Sequence, residues 1–372
     1  MAGIYIHIPY CKQACHYCDF HFSTNLKSKS ALISCIIKEL ETQKSYLSNE
    51  SISTIYFGGG TPSLLSPTEL ESVLEAVYEN FEITDNPEVT LEANPENLSA
   101  ENLHFYKSVG INRLSVGVQS FNDKHLKFLN RSHSAAQAIS AIERIRQMGF
   151  MQMSLDLIFA IRQGDDAIWE SDLKTALDFE PEHLSVYNLT IENGTVFGNW
   201  QGKGKLNSPD DDQCSRQYVM AHEKLEAAGY EHYEISNYAL PGQYSRHNTA
   251  YWRDQKYLGI GPGAHSYNLK SRQFNVKNNA LYIKGIEIGQ LPATIEQLSE
   301  IDKINEMVLT GLRTQWGIDL NVFKINQKIE PEKKGKIDDF LRKGLMKREN
   351  DTIKLTLSGQ LLADSIISEL MI

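Results

Sequence analysis

The sequence has no stretch suited to a bilayer. Its longest apolar runs fall far short of the ~20 residues needed to span one, and Lys or Asp interrupts most of them. The first residues, Met1-Ala2-Gly3-Ile4, show no basic region, no long apolar region and no cleavage site. A cytoplasmic location is therefore expected, with membrane association at most peripheral. Basic charge is also in deficit: 37 Lys and Arg stand against 47 Asp and Glu, for a net charge of −10. No basic stripe tracks a phosphate backbone, which argues against nucleic acid as a partner. Internal repeats and low-complexity segments are missing. Cysteine is scarce, at 5 in 372 residues, which does not suit a secreted disulfide framework. Three of those cysteines stand together, and in a reducing compartment such a cluster reads as metal-binding.

The cluster is Cys11-Lys12-Gln13-Ala14-Cys15-His16-Tyr17-Cys18, and a short apolar strand, Ile4 to Ile8, leads into it. Three thiolates in one loop can hold three irons of a cubic iron–sulfur cluster and leave the fourth iron open to an exchangeable ligand. The competing readings are three inert thiols or a zinc site. Zinc sites usually close with four ligands, or use three His-rich ones with an open position, so the compact thiol loop fits the cluster better. Cys35, on an apolar helix face, and Cys214, at a polar helix start, read as ordinary residues.

Downstream, short β-branched runs alternate with helical patterns. The runs are Ile4–Ile8, Ile52–Phe57, Glu88–Ala93, Arg113–Gln119, Met151–Phe159 and His183–Leu189. Between them, Ser30 to Leu47 places Leu32, Ile33, Ile36, Ile37 and Leu40 on one face. Ser66-Pro67-Thr68-Glu69 has the form of a capping box, and Ala135–Met148 and Asp165–Phe179 read as further helices. Such alternation predicts βαβ units and a parallel sheet. Six units over about 190 residues point to a partial (β/α)6 barrel rather than a closed eight-stranded one. The barrel is expected over residues 1–230, ending in a helix from Pro209 to Gly229 with Tyr218, Leu225 and Ala228 on its apolar side. Residues 231–298, rich in aromatics and histidine, read as a connecting region. Residues 299–372 read as a small α+β, winged-helix-like tail, with helices over Ser299–Arg313, Ile337–Met346 and Ser358–Leu370 and a strand over Thr352–Leu357.

Polar residues fall at the ends of the expected strands, where barrel active sites are built. Strand one ends in the cysteine loop, strand two in Gly58-Gly59-Gly60-Thr61-Pro62 and strand three in Glu92-Ala93-Asn94-Pro95. Strand four ends in Gln119-Ser120, strand five carries Asp156 and strand six ends in Tyr187-Asn188. Each alone reads as a cap or surface residue, and glycine triplets usually just turn a chain. Together they aim at the mouth that holds the thiols. From the residues alone His7 reads as a satisfied core histidine and His265 can be read either way.

The spacing Cys11-x3-Cys15-x2-Cys18, with Tyr17 before the last cysteine, resembles the signature of radical S-adenosylmethionine (SAM) proteins. The resemblance implies a [4Fe–4S] cluster on these three cysteines, with SAM chelating the open iron and cleaved by one electron to a 5′-deoxyadenosyl radical. The same family's fold is a partial (β/α)6 barrel. By that resemblance Gly59, Gly60 and Thr61 meet the SAM amino group. Glu92, Gln119, Arg131 and Asp156 match positions that hold its carboxylate and ribose. Tyr5 and Tyr17 would pack beside cluster and adenine, with plain core packing as the alternative reading.

The match narrows at Tyr5-Ile6-His7-Ile8-Pro9, Leu114-Ser115-Val116-Gly117-Val118-Gln119-Ser120-Phe121 and Leu155-Asp156-Leu157-Ile158. These resemble the branch holding oxygen-independent coproporphyrinogen III oxidases of porphyrin biosynthesis and their haem-chaperone relatives. The oxidases carry a fourth cysteine where this chain has Phe20, and they extend before the first strand. His247-Asn248-x2-Tyr251-Trp252 matches an HNxxYW motif typical of the chaperones. The resemblance therefore implies a protein that binds haem and passes it to an acceptor protein, with oxidative decarboxylation as the alternative. It leaves open whether SAM is cleaved and which electron donor serves the cluster. His247 is the candidate haem-iron ligand, since imidazole is a common axial ligand; the bland reading is a histidine that orients its loop with Asn248. One departure stands out: where the family has a Gly-Leu-Pro type turn after strand five, this chain has Ala160-Ile161-Arg162-Gln163.

Overall fold

The computed structural model describes residues 1–325 and 330–372. Six strands lie side by side, parallel and in chain order: β1 (Ala2–Ile8), β2 (Ile52–Gly59), β3 (Ile83–Ala93), β4 (Arg113–Gln119), β5 (Met153–Phe159) and β6 (His183–Asn188). Helices Lys29–Gln43, Pro67–Asn80, Ala100–Ser108, Ala135–Gln147 and Asp166–Asp178 fill the crossovers, as parallel pairing requires. This is the partial (β/α)6 barrel that the alternation predicts.

The two faces of each strand have different tasks. Ile4, Ile6 and Ile8 of β1 are fully buried in the core that also holds Leu32, Ile36 and Leu40 of the first helix. The intervening residues, Gly3, Tyr5 and His7, turn to the inside of the sheet. Tyr56 of β2, Thr90 and Glu92 of β3, Ser115 of β4, Asp156 of β5 and Ser185 of β6 line the same polar lumen. The hydrophobic core thus lies between sheet and helices, and the lumen is left for polar chemistry. The capping box is formed: Glu69 N–H donates to Ser66 Oγ at 3.3 Å and Ser66 N–H donates to Glu69 Oε2 at 2.8 Å. Such a cap contributes about 1 kcal/mol to the helix it opens.

Residues 231–298 do more than connect. They supply β7 (Glu231–Glu234), β8 (Asn237–Ala239), β9 (Tyr257–Ile260), β10 (His265–Tyr267), β11 (Ser271–Asn275) and β12 (Ala293–Gln297) to the same sheet. Its order is β12-β11-β10-β9-β1-β2-β3-β4-β5-β6-β8-β7, with β9 parallel to β1 and β8 antiparallel to β6. Ala228 caps the helix Asp211–Ala227 from an exposed position rather than packing on its apolar side.

The tail has its own core around Val308, Leu312, Phe340, Ile353 and Ile366. Its three-stranded sheet runs β13-β15-β14, from β13 (Ile318–Asp319), β14 (Met346–Glu349) and β15 (Thr352–Leu355). The expected helix over Ile337–Met346 runs Glu330–Arg342, and Met346 opens β14. The expected helix over Ser358–Leu370 is divided into Leu357–Gln360 and Ala363–Leu370. Among the described residues no helix is long and apolar enough to cross a membrane.

Candidate cluster and cofactor site

Cys11, Cys15 and Cys18 sit in the loop that leaves β1, each half-buried and each a free thiol. The loop is stitched down on both sides. Cys11 N–H donates to the Ser23 carbonyl at 3.1 Å, and Ser23 N–H to the Pro9 carbonyl at 2.8 Å. Opposite, Gln13 Nε2 donates to Asn130 Oδ1 at 2.8 Å, Asn130 Nδ2 returns to the Ala14 carbonyl at 2.7 Å, and His16 N–H donates to the Leu129 carbonyl at 3.1 Å. Two donors face the sulfurs: Thr61 Oγ1 lies 3.5 Å from Cys11 Sγ, and Arg131 Nη1 lies 3.5 Å from Cys15 Sγ. Burial, reinforced by the neighbouring cysteines, pushes the Cys11 thiol up and the Cys18 thiol up to about 12. Metal binding therefore has to displace protons from these thiols.

A cubic cluster asks for one thiolate on each of three irons, and a loop with three reachable thiols and donors to its sulfurs fits that demand.

The strand ends surround this loop. A Cβ on Gly60 would meet the backbone N and O of Tyr10 at 2.8 Å, so only glycine lets the end of β2 press against the chain entering the cysteine loop. Glu92 accepts from Tyr56 Oη at 2.8 Å and from Gly59 N–H at 3.1 Å. Burial, with Asp156 nearby, pushes its carboxyl up to about 7. Asp156 accepts from Ser115 Oγ at 3.2 Å, and burial pushes it up to about 6. Arg131 Nη2 donates to Asn94 Oδ1 at 2.6 Å and to the Gly117 carbonyl at 2.8 Å, while its Nε is buried with no hydrogen-bond partner. Gln119 ends β4 in the left-handed region, at φ 67°, which is uncommon for a non-glycine residue and typical of ligand sites. Asp172 holds the chain just beyond it, accepting from Ser120 Oγ at 2.5 Å and Phe121 N–H at 2.9 Å. Tyr17 packs against the cluster of Leu129, Ile158 and Phe197, and Tyr5 stacks on Tyr56 with ring centres 6.0 Å apart.

The donor set therefore contains an unsatisfied guanidinium nitrogen, two carboxylates held above their ordinary range and a buried amide. It suits a ligand that brings a carboxylate, a cation and hydroxyl groups. Asn94, which holds Thr61 and Arg131, and Asp172, which anchors the chain beyond Gln119, were not singled out from sequence; Asn94 lies in the Glu92–Pro95 strand end, whereas Asp172 is inside a helix pattern and gave no signal.

His247 is placed as the second of its two readings describes, as a histidine that holds its own loop. It is 1% exposed, and both ring nitrogens are engaged: Nδ1 with Thr54 Oγ1 at 2.8 Å and Nε2 with Tyr251 Oη at 2.9 Å. Its backbone N–H donates to Glu88 Oε1 at 3.0 Å. Burial pushes the imidazole down to about 3, so it is neutral. The ring sits at the level of Gly3, about 17 Å down β1 from its Ile8 end at ~3.3 Å per residue. In this fold His247 braces the helix Arg246–Trp252 against β2 and β3 and has no nitrogen free for iron.

The turn after β5 keeps the form that glycine favours: Ala160 has φ 56°, and its N–H donates to Gln217 Oε1 at 2.7 Å.

Parallel partial barrel, thiol loop at the strand ends and polar lumen are together the architecture of the radical SAM superfamily, whose family model matches residues 5–174. A HemN C-terminal domain model matches residues 298–362. The chain is 34% identical over 371 residues to the heme chaperone HemW of Bacillus subtilis (strain 168), covering 98% of each chain. It is also 34% identical over 327 residues to the mitochondrial radical S-adenosyl methionine domain-containing protein 1 of Danio rerio, covering 85% of this chain and 74% of that one. Among solved structures it is similar to the coproporphyrinogen III oxidase HemN of Escherichia coli, with TM-score 0.86 and 21% identity over 100% of this chain and 90% of that one, a likeness of fold. The chain belongs to the HemW family of haem chaperones.

Proposed function

We propose that this protein holds a [4Fe–4S] cluster on Cys11, Cys15 and Cys18, binds SAM beside it, binds haem, and passes the haem to an acceptor protein in the cytoplasm. The observation that carries this reading is the buried, unpartnered Arg131 Nε beside three free thiols and the lumen carboxyls Glu92 and Asp156, in a chain of this family. Arg131 Nε is the donor for the SAM carboxylate, a charge-assisted pairing that guanidinium geometry favours. Gly59, Gly60 and Thr61 allow the amino group close approach. Glu92, Asp156 and Gln119 hold the ribose hydroxyls, and ionised Glu92 and Asp156 offset the ligand's positive charge. Tyr5 and Tyr17 flank the cofactor and limit water at the thiol loop. With an electron donor, the cluster and SAM would together supply one-electron chemistry at this site.

Phe20 supports haem handling over oxidation, because it is 67% exposed at the position where the oxidases carry their fourth cysteine. The test is a haem titration of cluster-reconstituted protein. A Soret band that saturates at a defined stoichiometry is expected, and its absence overturns the reading. Anaerobic incubation with coproporphyrinogen III, SAM and a reductant is expected to give no protoporphyrinogen; its formation would put the oxidase reading in place of this one.

A further inference from the structure

We propose that the haem seat is the open cavity just past the thiol loop, with His265 as the axial ligand of the iron. The inference rests on the haem-binding reading above and identifies where and by what that haem is held. The cavity has a volume of about 330 Å³ and begins one residue after Cys18, at Asp19, Phe20 and His21; its other walls include Tyr251, Tyr257, His265 and Lys277.

Four observations converge on it. First, among the described histidines of this wall, His265 carries the free imidazole. His7 is engaged on both sides, by Tyr5 Oη at 3.0 Å and the His21 carbonyl at 2.9 Å, and the half-buried His21 has Nε2 bonded to Asn279 Oδ1 at 2.7 Å and only Nδ1 open, whereas His265 has both ring nitrogens open among the described residues. His265 is exposed, and its one described ring contact is edge-on to Phe274, with centres 4.8 Å apart. Burial, with Lys277 and Arg272 nearby, pushes it down, which keeps it in the neutral form that ligates iron. Second, the cavity offers aromatic surface: Phe20 is exposed at its rim, and Tyr251 and Tyr257 line its wall. Third, Lys277 is exposed and no carboxylate pairs with it among the described residues, so a cation is available for a propionate. Asp19, exposed on the same rim, would repel that propionate and so orients the macrocycle toward Lys277. Fourth, the seat is built rather than incidental. Gly261 has φ 101°, and a Cβ there would meet the His7 carbonyl oxygen at 2.6 Å, so glycine lets the β9–β10 turn press against β1. Buried Glu39 accepts from Gly261 N–H at 2.8 Å and fixes that turn, from which His265 projects.

The volume lies at the low end for small-molecule sites, about 300 to 1,000 Å³, so a macrocycle would be gripped at one edge and remain partly outside. That is the geometry of a carrier.

The experiment is a hemin titration of the cluster-loaded protein, wild type against His265→Ala and Lys277→Met, with cluster absorbance and circular dichroism as folding controls. Expected for His265→Ala is a shifted Soret band and haem affinity weakened by about tenfold or more, with both restored by added imidazole; iron-free protoporphyrin should bind wild type and variant alike. Lys277→Met should weaken haem by a few fold without moving the Soret band. His265→Met, which offers a thioether, should move the Soret band to a different position and serves if the alanine variant folds poorly. If His265→Ala keeps the wild-type Soret position and affinity, the seat is elsewhere and this inference is overturned while haem binding stands. If wild type binds no haem, both fall.

Discussion

Substituting Glu39 by glutamine tests how the turn before His265 is anchored. Glu39 lies on the buried face of the first helix and is fully buried. Its carboxylate accepts from Gly261 N–H at 2.8 Å, from Asn275 Nδ2 at 2.7 Å and from Tyr282 Oη. No cation is among the groups that hold it, so burial dominates and pushes its pKa from 4.5 up to about 7. The folded protein therefore holds a proton here that the unfolded chain has released. Stability from this group is full below about pH 4.5 and is lost as the pH rises to 7 and beyond. At about 1.4 kcal/mol per tenfold in proton affinity, the loss is on the order of 3 kcal/mol.

Glu39→Gln removes the charge and keeps the shape. It also sets an amide N–H₂ against Asn275 Nδ2, a clash of donors. Asn275 cannot turn its amide to relieve this, because Nδ2 also donates to the Gly261 carbonyl at 2.9 Å. One mismatched buried pair costs about 1–3 kcal/mol at every pH. The variant should thus be less stable than wild type near pH 5, and the gap should close or reverse by about pH 8. Urea unfolding followed by circular dichroism at constant ionic strength measures both curves. Taking their difference cancels the other raised carboxyls, such as Glu92 and Glu234. Parallel curves across this range would refute the reasoning, because they would show that Glu39 does not titrate within the fold.

Ala160→Gly should stabilise the protein by about 1 kcal/mol in the same unfolding assay, since Ala160 sits at φ 56° where a side chain is strained. Arg131→Lys should weaken SAM binding by about tenfold or more in calorimetry while cluster absorbance persists, because an ammonium cannot supply the Nε donor and also keep the Asn94 and Gly117 bonds. His247→Ala should cost about 2–4 kcal/mol in urea unfolding, through a cavity and the lost partners of Thr54 and Tyr251, without moving the Soret band of bound haem.

The parallel barrel was legible because each strand and helix carries its own period. β1 alternates outward isoleucine with inward Tyr5 and His7, and the first helix repeats Leu32, Ile36 and Leu40. The strands after residue 230 were not: β8 and β10 are three residues long, too short for alternation to register, and their place is fixed by pairing with β6 and β9. The thiol loop and the strand-end residues were legible as residue types at strand ends, and the structure puts Thr61 and Arg131 beside the thiols and Glu92 and Asp156 in the lumen. Glu39 gave a faint signal, a carboxylate inside an apolar stripe, but its partners Gly261 and Asn275 are far along the chain. His247 shows the limit of a motif. HNxxYW marks the residue; its partner Thr54 is 193 positions away, and only the fold reveals that the imidazole is already in use.

A carrier has to hold haem firmly enough to keep it and loosely enough to surrender it. A ligand at His247 would break its hydrogen bonds to Thr54 and Tyr251 on binding and need them remade on release, and the haem would have to enter the packed strand layer. The lumen is equally unsuited: Glu92 and Asp156 make it a place for a polar cation, and an apolar macrocycle would leave those carboxyls unsolvated. The open cavity beside Phe20 asks for neither. It is divided from the lumen by the wall around Tyr5, whose ring lines the cavity and stacks on Tyr56, and Tyr56 Oη donates to Glu92. The polar cofactor and the apolar cargo can therefore occupy neighbouring sites without sharing a solvent environment, and the HNxxYW helix serves the cargo through Tyr251, the residue that His247 holds in the cavity wall.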